Sequence, residues 1–115
     1  MEKVEISIQG PGANGVSEAV RELPDIERAN YRGGAVVVFA IEQFYARNFA
    51  ELQATVVLER IDETTCEGVI LAGGGGVGVA KVTLGAEKSM ADDVLETIET
   101  YCENNDLALE KRRAD

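Results

Sequence analysis

The stretch EGVILAGGGGVGVAKVTL, residues 67–84, constrains the fold of this chain more than any other. Four consecutive glycines after an apolar run either cradle a phosphate or turn one strand into the next. Gly73-x-Gly75-x-x-Gly78 has the spacing of a dinucleotide fingerprint, in which glycines let a pyrophosphate approach the N-terminus of the following helix. The residues Val77-Gly-Val-Ala-Lys-Val-Thr-Leu84 are rich in β-branched side chains and include a glycine, both unfavourable in a helix. A P-loop is excluded because Val79 follows Gly78 and no Ser or Thr comes directly after Lys81. The sequence therefore predicts a hairpin tip at Gly73 to Gly76, joining a strand that ends at Ala72 to a second strand over Val77 to Leu84. A phosphate loop would require a helix opening near Gly78.

With 115 residues and 45% apolar composition, the chain is long enough for one domain with one core. We expect a single α+β unit over residues 1–106 and a short edge strand or frayed tail over 107–115. The apolar runs are shorter than a bilayer span and no leader pattern opens the chain, so the expectation is a cytoplasmic protein that does not enter a membrane. The sequence holds no His, which removes the commonest metal ligand and general base and every Ser-His or Cys-His nucleophile. Cys66 and Cys102 lie far apart without a CxxC pattern and read as buried thiols. No cofactor, metal or catalytic residue is expected, and the reading is non-enzymatic. A formal charge of −10 repels nucleic acid and anionic lipid, while it favours solubility and basic partners.

Taken in order, Val4 to Ile8 alternates as a half-buried strand, and the turn residues Gln9 to Gly15 end it. A short helix capped by Asn14 aligns Val16, Val20 and Leu23 before Pro24. From Ile26 the pattern is a meander. Gly33-Gly34 turns a hairpin in which Arg32 faces Ala35, with Ala29, Tyr31, Val36, Val38 and Ala40 on one face and Arg28, Val37, Phe39 and Ile41 on the other. Glu51 to Ile61 alternates most cleanly, with Leu52, Ala54, Val56 and Leu58 inward. A four-residue turn at Asp62 to Thr65 would pair Leu58 with Val69, Val56 with Leu71 and Arg60 with Glu67. Val69 and Leu71 would then share the core face with Ala80, Val82 and Leu84. Ser89 and Asp92 resemble a capping box opening the main helix, whose stripe Met90, Ala91, Val94, Leu95, Ile98, Tyr101 and Cys102 must cover a sheet.

The fold expected is α+β, an antiparallel meander sheet of about five to six strands with a short N-terminal helix and a long C-terminal helix packed on one face. In that arrangement the opposite face would carry Val57, Ile70, Ala72, Val77, Val79, Phe39 and Ile41, which is more apolar surface than a monomer usually exposes. It invites a second subunit or a ligand.

The order strand, helix, meander and C-terminal helix resembles the helix-grip fold, which implies an apolar small molecule held between sheet and last helix. The segments VILAGGGG and VAKVTLGAEKS, with the terminal acidic helix, resemble a small prokaryotic family of uncharacterised proteins over residues 1–105. That resemblance implies no catalytic residue.

Two constellations stand out. Asp92, Glu96, Glu99 and Glu103 form an acidic helical row, with no Lys or Arg to neutralise it, and could dock a basic protein. Arg28, Tyr31, Arg60 and Lys81, with Phe39 and Ile41, could surround a small ligand at the sheet. The paired carboxylates of Asp62 and Glu63 lie in a polar turn that offers no acid–base asymmetry. The functional expectation is a protein-interaction or small-ligand-binding module forming a homodimer through a sheet face. Its alternative is a helix-grip-like binding protein or enzyme with an apolar substrate.

Overall fold

The computed structural model describes residues 1–23, 27–45, 50–74 and 80–114. The chain is an α+β protein built on one six-stranded antiparallel sheet. Its elements are β1 (Glu2–Gln9), a 3-10 turn (Ala13–Gly15), α1 (Val16–Arg21), β2 (Glu27–Gly33), β3 (Val36–Tyr45), β4 (Ala50–Asp62), β5 (Thr65–Gly74), α2 (Ala80–Asn104) and β6 (Ala108–Ala114). Across the sheet the order is β2-β3-β4-β5-β1-β6.

The alternation read in β1 holds: Val4, Ile6 and Ile8 are buried and the residues between them are not. They join Val37, Phe39 and Ile41 of β3, Ala54, Val56 and Leu58 of β4, and Cys66, Ile70 and Ala72 of β5 in one core. The two helices complete it. Val16 and Val20 come from α1, and Leu23 follows just beyond its end. From α2 come Met90, Ala91, Val94, Leu95, Ile98 and Cys102. That helix lies over β5, β1 and β4 and beside α1.

Five sequence expectations change. The strand expected over Val77 to Leu84 does not exist from residue 80 onward, because Ala80–Asn104 is one helix running unbroken through Ser89. The physical reason is that β5 has no free edge. It pairs with β4 on one side and with β1 on the other, so the N-terminal strand occupies the place a hairpin partner would need. Gly75 to Val79, the centre of the expected hairpin tip, lie outside the described residues.

The β4–β5 register also differs. Asp62 pairs with Thr65 as the turn predicts, but a bulge between Arg60 and Asp62 leaves Ile61 without a partner and shifts every pair beyond it by one. A one-residue shift exchanges faces. Val56 therefore pairs with Ile70 and Leu58 with Gly68, and Ile70 and Ala72 point into the core in place of Val69 and Leu71. The expected Arg60–Glu67 pair is replaced by Arg60 opposite Cys66 and Glu59 opposite Glu67. Gly68 fits the close approach this creates, since a Cβ there would stand 2.5 Å from the Val57 carbonyl oxygen and 2.8 Å from Leu58 Cδ2.

Phe39 and Ile41 are the third correction. Both are fully buried, so they belong to the inner face and not to an open one. The β2–β3 turn is the fourth, centred on Gly34 and Ala35 with Gly34 at φ 58°. That register differs by two from the expected one, so the faces stay as read.

Asn14 does not cap α1. Its side-chain amide donates to the Asp62 carbonyl at 2.8 Å and fastens the β1–α1 turn to the β4–β5 turn. Tyr101 Oη donates to the Gly12 carbonyl at 2.8 Å, tying α2 to the same corner.

Candidate functional site

Among the described residues no element packs on the face of the sheet opposite the helices. Alternation in the aligned strands sends one residue per strand outward, and the pairing registers give a row of Cα partners running Tyr31, Val38, Val57, Val69, Glu5, Arg112 from β2 to β6. Val38, Val57 and Val69 are half-buried and Tyr31 is 69% exposed. The neighbouring row, one pleat repeat away, runs Val36, Glu59, Glu67, Ser7, Glu110. An open trough of ≈ 1050 Å³ crosses this surface, lined among others by Val57, Val69, Glu59, Glu67, Glu110 and Arg112. The trough spans β4, β5, β1 and β6: Val57 and Val69 supply its apolar lining, Glu59 and Glu67 border them on the same two strands, and the lining toward β6 is charged.

Charges on the open face are unevenly matched. Glu5 holds Lys3 at 3.3 Å and Arg112 at 3.2 Å. Among the described residues no cation pairs with Glu59, Glu67 or Glu110. Glu59 and Glu67 stand directly opposite each other on neighbouring strands, an arrangement of like charges that costs sheet stability. This row depends on the bulge and is invisible to a reading that pairs Glu67 with Arg60.

The acidic row of α2 is corrected in part. β6 passes alongside it, and its alternation sends Lys111 and Arg113 to the helix side while Glu110 and Arg112 face outward. Lys111 Nζ donates to Glu99 at 3.1 Å, and Arg113 pairs with Asp92 and with Glu2. Two of the four carboxylates are thus neutralised by the strand that follows the helix and folds back beside it. Glu96 and Glu103 remain exposed. The pairs themselves are partly exposed and each contributes at most about 1 kcal/mol.

Of the six residues expected around a small ligand, the four whose side chains are described do not share one site. Tyr31 lies on the open face, Phe39 and Ile41 in the core, and Arg60 is exposed beside the bulge. Arg28 occupies the β2 position opposite Ile41, and Lys81 is the second residue of α2; both side chains lie outside what the structure describes. The space between sheet and α2 is filled by Ile70, Met90 and Ile98, each at most 1% exposed. α2 opens at Ala80, close to the position a phosphate loop requires, but residues 75–79 lie outside the described residues and supply no loop geometry.

No described side chain is tuned for acid–base work. The Thr64 amide donates to Asp62 at 2.9 Å and, with the Thr65 side chain, holds that carboxyl below its ordinary range, as expected of a turn carboxylate. Burial raises the Tyr101 phenol and the Cys102 thiol. Burial, with a smaller contribution from Cys102, raises Cys66 from 9.0 to about 11. Because the folded-state value of Cys66 lies above its unfolded one, the stability it contributes is complete below pH 9 and is lost as pH rises toward 11. The melting temperature should hold from neutral pH to about 9 and then fall. Cys66→Ala should flatten that fall, which thermal melts across this range check. Among the described residues no group of three or more His, Cys, Asp or Glu stands placed to hold a metal ion, and no helix is long and apolar enough to cross a membrane.

No family model and no curated protein matches this sequence.

Proposed function

We propose that this chain is a non-enzymatic cytoplasmic protein-interaction module whose working surface is the open face of its sheet. The observation that supports the reading is the continuous row Tyr31–Val38–Val57–Val69 on the face opposite the helices. Apolar rows of this kind on an otherwise acidic surface gain free energy when a partner removes them from water. Strand addition at the sheet edges is a poorer route. β6 carries Glu110, Lys111, Arg112 and Arg113, and charged edge strands resist pairing.

A second reading is a homodimer through the same face, favoured by the continuity of the apolar row. The helix-grip-like alternative, with an apolar molecule between sheet and α2, draws little support from the filled core.

A photoreactive phenylalanine analogue at Val57, compared with one at Glu96 on α2, tests the proposal in the native host. Crosslinks to protein from position 57 and few from position 96 are expected. Equal yields at both positions, or none at 57, would overturn it.

A further inference from the structure

Resting on that reading, we infer that the open face docks a basic amphipathic segment of another protein. The apolar row and the carboxylate row run side by side, about 7 Å apart along the strands. A partner segment that lays apolar side chains over Val38, Val57 and Val69 therefore brings its flank to Glu59 and Glu67. Those two positions are about 5 Å apart across neighbouring strands, matching basic side chains one turn apart on a helix. Glu110 lies two strands beyond Glu67 in the same row and extends the acidic border.

Among the described residues the open-face cations Lys3 and Arg112 are already engaged, and the cations on the other side of β6 are taken up as well. Lys3 and Arg112 share Glu5, while Lys111 and Arg113 are paired with α2. The three carboxylates are thus complementary to charge supplied from outside, and a basic side chain between Glu59 and Glu67 relieves their repulsion. A second copy is the poorer occupant. It carries the same net charge of −10 and the same carboxylate row, with its own open-face cations bound to Glu5. Nucleic acid and anionic lipid are repelled for the same reason.

The experiment is fluorescence anisotropy of three dye-labelled synthetic peptides titrated with the full chain. The first is a helical peptide with leucines along one face and lysines along its flank. The second carries glutamates in place of the lysines, and the third has the first peptide's composition scrambled. The chain is tested as the native sequence, as E59K/E67K and as E96K/E103K; all four positions are exposed, so both variants should fold, which circular dichroism checks. The lysine peptide should bind, with affinity reduced about tenfold or more by E59K/E67K and about twofold or less by E96K/E103K. The glutamate peptide should not bind and the scrambled one should bind more weakly. Equal binding of the scrambled peptide, or equal losses in both variants, would reduce the effect to general attraction and overturn the inference. Sedimentation of the native chain separates this failure from failure of the wider reading. A dimer that Val57→Lys dissociates, with no peptide bound, would keep the open face as the working surface but replace the basic partner with a second copy. A monomer that binds none of the peptides would count against both.

Discussion

Phe39→Ala should lower the stability of the chain by about 3–5 kcal/mol, the range for removing a fully buried aromatic side chain from a core that cannot collapse around the loss. Phe39 is among the largest fully buried side chains and sits on β3 between the buried Val37 and Ile41. For a domain whose total stability is of the order of 5–15 kcal/mol, that is a large share of the total. Urea denaturation measures the effect. Tyr31→Ala, at a position 69% exposed, should change stability by only about 0.5 kcal/mol. If the two substitutions had similar small effects, Phe39 would be a surface residue and the assignment of faces in the first hairpin would be wrong.

The second large effect separates adjacent residues. Ile70→Ala should cost about 2–5 kcal/mol and Leu71→Ala about 1 kcal/mol, because the first side chain is fully buried and the second only partly. The contrast comes from the bulge at Ile61. Without it the turn at Asp62 to Thr65 would place Leu71 opposite Val56 in the core and turn Ile70 outward, reversing the ranking. Denaturant midpoints of the two variants report which register the strands adopt.

These two cases also show which parts of the fold are legible in the residues alone. In the first hairpin the turn sits one residue later than the Gly33-Gly34 pair suggests, but this displaces the register by two and the alternation survives. In the second hairpin a single unpaired residue inverts the whole of β5, and nothing in the composition of Ile61 announces it. The glycine run misleads for a different reason. Val77 to Leu84 has the composition of a strand, but a strand needs an edge, and β1 takes the edge of β5 from across the length of the chain. Local propensity gives way to this nonlocal pairing.

The candidate surfaces follow the same division. The acidic spacing of Asp92, Glu96, Glu99 and Glu103 is plain in the sequence. The alternation of Lys111 and Arg113 in the C-terminal strand, which neutralises two of them, becomes meaningful only when β6 lies beside α2. Conversely, Glu59 and Glu67 look like ordinary solvated charges until the bulge sets them opposite each other beside an apolar row. An exposed apolar face is predictable from having two helices and a wide sheet. Its membership is not, since Val57 remains outward as read while Ile70, Ala72, Phe39 and Ile41 turn inward.

The measurement that tests the open face most directly is the rate of thiol labelling in two single variants, Val57→Cys and Val56→Cys. The native Cys66 and Cys102 are each 3% exposed, and burial raises both thiols, so they form a slow background. The account predicts that Val57→Cys labels within about tenfold of the unfolded chain, whereas Val56→Cys labels slower by about a thousandfold or more, limited by opening of the core. Rapid labelling at 56 with protection at 57 would contradict it, placing the carboxylate of Glu59 and the docking surface on the wrong side of the sheet.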